Sequence, residues 1–244
     1  MRNIKLTIQY DGSRYKGWQG QKDNDLTVEG KLQAVIEKMT EENNVEIIGA
    51  ERTDVGVHAE NYVANFKTEC TLSIELMKDY LYNFLPDDIV VKQMEEVDER
   101  FHARYNVKSK TYTYSIDSGD YRNVFNRKYA YHIDCELNIS RMKEAALVLE
   151  GKHDFKNFTS VKSGSKSTVR DIEKIDIRSE ANKVTIYIRA NDFLWHMPRF
   201  LVGTLIAVGS GEMPIGAVQK LVTENTKATT LAKAKGLCLE EVSY

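Results

Sequence analysis

Ile4, Leu6, Ile8 and Tyr10 alternate with polar neighbours up to Asp11-Gly12, the period of two that marks a strand ending in a turn. Behind Thr27 the period changes. Val28, Leu32, Val35, Ile36 and Met39 recur at helical spacing, which predicts a helix with Thr27 as N-cap and Gly30 as a defect costing about 1 kcal/mol against alanine. Strands are predicted over residues 45–48 and 62–66, with a loop over 49–59 that is dense in polar groups. A second helix starts from Ser73 as N-cap, with Leu72 and Met77 placed as a hydrophobic staple, and stops before Pro86, whose ring disfavours a helical preceding residue. A strand over 89–94 closes the series. Strand, helix, strand, strand, helix, strand is the order of a ferredoxin-like unit with an antiparallel sheet.

The rest of the chain repeats this theme less cleanly. A strand is expected over 108–116, a helix over 140–149 ended by Gly151, a hairpin of strands over 172–177 and 184–188, helices over 198–208 and 215–222, and a last strand over 237–242. The fold class is therefore α+β: two ferredoxin-like-derived halves whose antiparallel sheets join edge to edge into one extended sheet, with helices packed on it and a functional cleft between the halves. The border falls near residues 97–106, giving halves of 1–100 and 101–244, and no long linker separates them.

Composition narrows the class. A chain of 244 residues, 42% hydrophobic and 29% charged, can bury a real core and is not intrinsically disordered. Its net charge of −2 shows no overall basicity, so a polyanionic partner must be met by a local patch. Such a patch is visible from Arg100 to Lys128, where seven Lys and Arg (100, 104, 108, 110, 122, 127 and 128) face only Asp117 and Asp120. Cys70, Cys135 and Cys238 form no close pair, which argues against a disulfide framework or a cysteine metal site and for a reducing compartment. The five histidines show no metal-binding spacing, and no phosphate-cradling glycine motif occurs, so neither a metal nor a nucleotide cofactor is expected. The longest apolar run, 201–208, falls far short of the roughly 18 residues of a membrane span, and the opening residues have no apolar signal region. The expectation is a soluble, cytoplasmic protein.

Three places bear chemistry. Arg52, Thr53, Asp54 and His58 crowd the loop after residue 48, where a sheet holds loops rigidly enough to carry function. Two readings are open here: an Asx-type turn at Asp54-Val55-Gly56 with His58 capping a strand, or an Arg and Asp placed to meet a polyanion. On the strand over 108–116, Lys108, Lys110, Tyr112, Tyr114 and Ile116 share one face, a row that suits stacking on nucleobases or, equally, filling a core with hydroxyls at its rim. On the helix that follows His196, Met197, Phe200, Leu201, Thr204, Leu205 and Val208 form the buried face, while Arg199 heads a strip of small residues, Gly203 and Ala207. A cation in the first turn opposes the helix dipole, so Arg199 either reaches water or needs a carboxylate or phosphate beside it.

Five segments in order carry a resemblance: Tyr10-Asp-Gly-Ser-Arg-Tyr-Lys-Gly-Trp-Gln19, Arg52-Thr-Asp-Val-Gly-Val-His-Ala59, Phe101-His-Ala-Arg104, Tyr112-Thr-Tyr114 and His196-Met-Pro-Arg199. From end to end the chain resembles the TruA family of tRNA pseudouridine synthases. The resemblance implies a homodimeric two-domain enzyme that isomerises uridine to pseudouridine at positions 38, 39 and 40 of the tRNA anticodon stem-loop, with no cofactor and no metal. It implies that Asp54 is the catalytic aspartate and Arg199 the arginine that pairs with it. Tyr112 would stack on the target base, Arg52 would help displace the nucleotide, and His58, Arg104 and Lys110 would contribute to substrate binding. A duplex-embedded uridine must be flipped out, at a cost of a few kcal/mol. Asp54 has three routes open, attack at C1′, attack at C6, or removal of the 2′ proton. Glu51, Val55, Pro198, Cys238 and Gly20 depart from the family's usual pattern, and Glu51 sets a second carboxylate near Asp54. A rival class is a catalytically weakened copy that only binds tRNA, which intact Arg52, Asp54, Tyr112 and Arg199 argue against.

Overall fold

A computed structural model describes residues 1–20, 26–161 and 167–244. The chain divides into two compact units, residues 1–108 with 238–244, and residues 109–237. The border thus lies past the expected 100/101, and the last strand returns to the first unit.

In the first unit, β1 (Arg2–Tyr10) follows the alternation of its sequence, with Ile4, Leu6 and Ile8 fully buried. The helix α1 (Val28–Thr40) starts at Thr27, whose hydroxyl accepts the Gly30 N–H at 3.2 Å, and ends at Glu41 in a left-handed conformation. β2 (Ile47–Gly49) pairs antiparallel with β3 (His58–Thr68), which pairs antiparallel with β1. α2 (Ile74–Phe84) is capped by Ser73, which accepts the Leu76 N–H, and it packs on β4 (Ile89–Val97), the other antiparallel neighbour of β1.

In the second unit, β5 (Ser109–Asp117) carries the short parallel strand β6 (Tyr131–His132) near its end. α3 (Ile139–Leu149) is capped by Asn138 rather than started at Ser140. Gly151, at φ +95°, does more than end that helix: it opens β7 (Gly151–Asp154), a strand too short for periodicity to reveal. β8 (Val169–Glu180) and β9 (Lys183–Ala190) form the expected hairpin, and the antiparallel order is β5-β9-β8-β7. α4 (Met197–Gly209) is buried on nearly all sides, and with α5 (Ile215–Thr223) it packs on α3. Its strip of small residues is covered by chain: a Cβ on Gly203 would fall 2.0 Å from the Thr230 carbonyl oxygen, an approach only glycine permits.

β10 (Leu237–Ser243) then runs parallel to β3, placing Cys238 opposite His58 and Leu239 opposite Ala59. That pairing explains why β3 begins at His58, inside the stretch expected to be loop. The two units are each α+β, as the pattern of elements implied.

Candidate active site

Asp54 sits half-buried at the turn between β2 and β3, and the backbone around it is bonded almost residue by residue. Ala50 donates its N–H to the Val63 carbonyl at 2.9 Å. The Tyr62 hydroxyl accepts the Glu51 N–H at 3.3 Å and donates to the Glu51 carbonyl. Thr53 Oγ1 is 2.7 Å from the Tyr10 hydroxyl, and the Thr53 carbonyl accepts the Trp18 N–H at 3.1 Å. Asp54 closes the turn by accepting the Val57 N–H at 3.2 Å, with Gly56 at φ +77°. Beneath the loop Trp18 stacks on Tyr62, centroids 3.9 Å apart, and burial drives the hydroxyl pKa values of Tyr10 and Tyr62 far up, keeping both neutral. These aromatics come from the Tyr10–Gln19 motif and β3, so the motif's purpose is local: it is the bed on which the aspartate loop lies.

Glu51 turns its carboxylate onto the loop itself, where Oε1 accepts the Arg52 N–H at 2.9 Å. Arg52 projects into a groove of about 1000 Å³ whose lining includes Gln19, Glu29, His102, Arg104 and Tyr105. The sequence pattern points to Arg52 and Arg104, 52 residues apart, and the fold brings both to this groove. It does not point to Glu29, which accepts from Gln19 Nε2 at 2.7 Å and from the Gly20 N–H. Burial raises the Glu29 pKa, while those hydrogen bonds and the nearby charges of Arg52 and Arg104 oppose the rise. Its only signal is an acid in the first turn of α1, where carboxylates are common for the helix dipole alone. Tyr105, adjacent to the quoted Phe101–Arg104 segment, stacks on His102 at 4.1 Å.

His58 is 6% exposed, and its Nδ1 accepts the Gly12 N–H at 3.1 Å. Its side chain, with Nδ1 also 3.2 Å from Asp11 Oδ1, ties the turn at 11–14 to the aspartate loop.

In the second unit Lys110 is 4% exposed, with Nζ 2.7 Å from Asp192 Oδ1; Arg170 holds the other oxygen at 3.2 Å. A lysine so placed is held by the fold, with its charge turned to Asp192 rather than to solvent. Tyr112 is buried with its ring edge-on to Phe193 at 5.1 Å, and fully buried Tyr114 donates its hydroxyl to the Lys233 carbonyl at 2.9 Å. Arg199 is half-buried in the first turn of α4, and its Nε donates to the Ala232 carbonyl at 2.8 Å. That carbonyl meets part of the demand that the helix dipole puts on the cation. The basic run 100–128 is divided between the units at Lys108, and within it Lys110 is paired with Asp192.

Among the described residues no group of three or more His, Cys, Asp or Glu is placed to hold a metal, and no helix is long and apolar enough to cross a membrane. What the first unit offers is a half-buried carboxylate, Asp54, two residues along the chain from Arg52, which lines a groove together with Arg104. A carboxylate suits covalent or proton-transfer chemistry, and arginines that line a groove suit a bound polyanion.

Comparison with known proteins places that chemistry. Residues 6–106 and 145–244 match the tRNA pseudouridine synthases, isomerases that act on tRNA uridines. Over its full length and theirs, the chain is 51% identical to tRNA pseudouridine synthase A 1 of Clostridium tetani. It is 46% identical to tRNA pseudouridine synthase A 2 of Bacillus cereus and 44% identical to that of Clostridium perfringens, again with both chains fully covered. A chain in the crystal structure of a Cbf5-Nop10-Gar1 complex shares 12% identity at a TM-score of 0.40, covering 97% of this chain and 49% of that one, a likeness too distant to bear on fold or function. The protein is an RNA-modifying isomerase. It belongs to the tRNA pseudouridine synthase family, in its TruA branch.

Proposed function

We propose that this enzyme converts uridine to pseudouridine at position 38, 39 or 40 of the tRNA anticodon stem-loop, with Asp54 as the nucleophile. The reaction breaks the N1–C1′ bond and joins C5 to C1′, so atoms and electrons balance within the nucleotide and an ionised carboxylate suffices. The observation that carries the reading is the setting of Asp54, half-buried in a turn whose neighbours are bonded to Tyr10, Trp18 and Tyr62. Such a frame holds a reacting group in place, which is where much of an enzyme's advantage arises.

The remaining roles follow the resemblance. The target uridine leaves its helix, Arg52 takes the vacated space, and Tyr112 stacks on the extruded base. Since Tyr112 is buried, the base must take the place of what covers its ring. By the same resemblance, Arg199 is the arginine that pairs with the aspartate. Arg104 contacts phosphate in the groove it shares with Arg52. The family likeness also supports a cytoplasmic homodimer that needs neither cofactor nor metal.

Pseudouridine mapping on unmodified transcripts, with chelator present and with Asp54→Ala beside the parent, tests this directly. Pseudouridine at 38–40 from the parent alone, with tRNA binding retained by Asp54→Ala, is the expected result. Product from Asp54→Ala would remove the nucleophile assignment, and product at other positions would remove the substrate assignment.

A further inference from the structure

The segment between β5 and β6, residues 118–130, lies in the part of the chain that the family match leaves out, 107–144. It is a built loop. Asp117, at the end of β5, accepts the Gly119 N–H at 3.4 Å and the Asn123 N–H at 3.0 Å, and sits 3.5 Å from His132 Nδ1 on β6. Asn123 Oδ1 accepts from the N–H groups of Phe125 and Asn126 at 3.0 and 3.1 Å, and the Asn126 carbonyl accepts from Tyr129 and Ala130. Arg127 Nη1 donates to the Val124 carbonyl at 2.6 Å, while Lys235 Nζ donates to the carbonyl of Arg127 at 3.0 Å.

That frame spends its bonds on holding apolar rings in water. Tyr121 and Phe125 are each 88% exposed, and Val124 and Tyr129 are exposed beside them. Contiguous wet apolar groups mark a contact surface. The charges beside them are positive: Arg122, Arg127 and Lys128 are exposed on the loop, and Lys235 adjoins it. The loop's one exposed acid, Asp120, precedes Tyr121 and lines a hollow with Asp134 and Glu136, apart from Arg127 and Lys128 at the loop's far end. Rings interleaved with cations match unpaired nucleotides, whose bases stack on aromatic faces while phosphates meet the cations.

We propose that loop 118–130 is a second RNA-binding element, which stacks unpaired bases of the tRNA on Tyr121 and Phe125 and holds the flanking phosphates with Arg122 and Lys128. The inference rests on the tRNA-modifying reading above and adds where, outside the groove of Arg52 and Arg104, single-stranded RNA is gripped.

The test compares the parent with Tyr121→Ser/Phe125→Ser, with Arg122→Ala/Lys128→Ala, and with the conservative Tyr121→Phe/Phe125→Trp. The first should raise KM for tRNA about tenfold or more, with kcat within about twofold and the salt dependence of binding unchanged. The second should raise KM and lower the slope of log K against log salt by about two, one for each phosphate left without its cation. The conservative pair should keep the parent KM. Unchanged KM in both loop variants would overturn the proposal. So would a loop-ring variant that loses mass by light scattering while keeping its affinity for tRNA, since that would make the loop a contact between copies of the chain. Filter binding to transcripts separates the two readings: loop variants that bind weakly, beside a parent that makes no pseudouridine, would sink the activity assignment and leave this one standing.

Discussion

Replacing Gly17 with alanine strikes the joint between α1 and the aspartate loop. Gly17 lies at φ +90°, its carbonyl accepts the Val28 N–H at 3.2 Å, and the next N–H, from Trp18, goes to the Thr53 carbonyl. Alanine at a positive φ costs about 1–2 kcal/mol. The new Cβ would also lie 2.6 Å from the Thr53 carbonyl oxygen and 3.3 Å from the carbonyl carbon of Asp54. Relieving that overlap moves backbone, which adds about 1–3 kcal/mol. The sum, about 2–5 kcal/mol, corresponds to a Tm lower by roughly 5–15 °C in a chain of this size. The displaced atoms belong to the loop proposed to carry the nucleophile, and on that proposal a shift approaching 1 Å costs on the order of 100-fold in rate. Thermal unfolding by circular dichroism, paired with single-turnover pseudouridine formation well below both melting points, reads both effects. Gly216→Ala is the control: it lies in α5 with open space around it, so it should hold or slightly raise Tm. A Gly17→Ala protein that melts within about 1 °C of the parent and reacts at the parent's rate would refute the reasoning.

Tyr10→Phe removes a buried hydroxyl from Thr53 Oγ1, and chemical denaturation should show a loss of about 1–2 kcal/mol together with slower turnover. Lys110→Met should leave the salt dependence of tRNA binding unchanged, because its charge is spent on Asp192; a slope lowered by about one would put Lys110 on a phosphate instead. Alkali should destabilise the fold, since burial pushes the Cys238 thiol up to about 12 and raises the phenols of Tyr10, Tyr62, Tyr114 and Tyr244. These groups keep their protons in the fold and release them on unfolding above about pH 9–10, so stability is full below that range and falls as pH rises through it. Urea midpoints that stay level between pH 8 and 11 would contradict this. Thiol labelling of the native protein should modify exposed Cys135 well before Cys238.

The outcomes at single residues show what kind of information a sequence holds. Thr27 and Ser73 cap the helices that the pattern assigns to them, because a cap is a bond to a residue three positions away. The Asp54 loop is legible as a dense run of polar residues, and Arg104 from its motif. Glu29 is not, because its position on α1 looks like an ordinary first-turn acid until the fold sets it beside Arg52. The ion pair of Lys110 is hidden for a related reason. Strand alternation places the lysine on the face of Tyr112 and Tyr114, but its partner Asp192 lies 82 positions away and nothing in the spacing points there.

By itself, then, the sequence determined whatever depends on neighbours along the chain: the periods of two and 3.6 that set strands and helices, the caps, and the contiguous motifs that name the family. Tertiary structure alone decided which charges remain available. It folded the terminal strand β10 onto β3, started β3 at His58, took Lys110 into an ion pair, and held Tyr121 and Phe125 in water on a loop the periodicity left blank. The physical reason is that a local pattern fixes the direction in which a side chain leaves the backbone, whereas its burial and its partner depend on segments that packing brings from far along the chain.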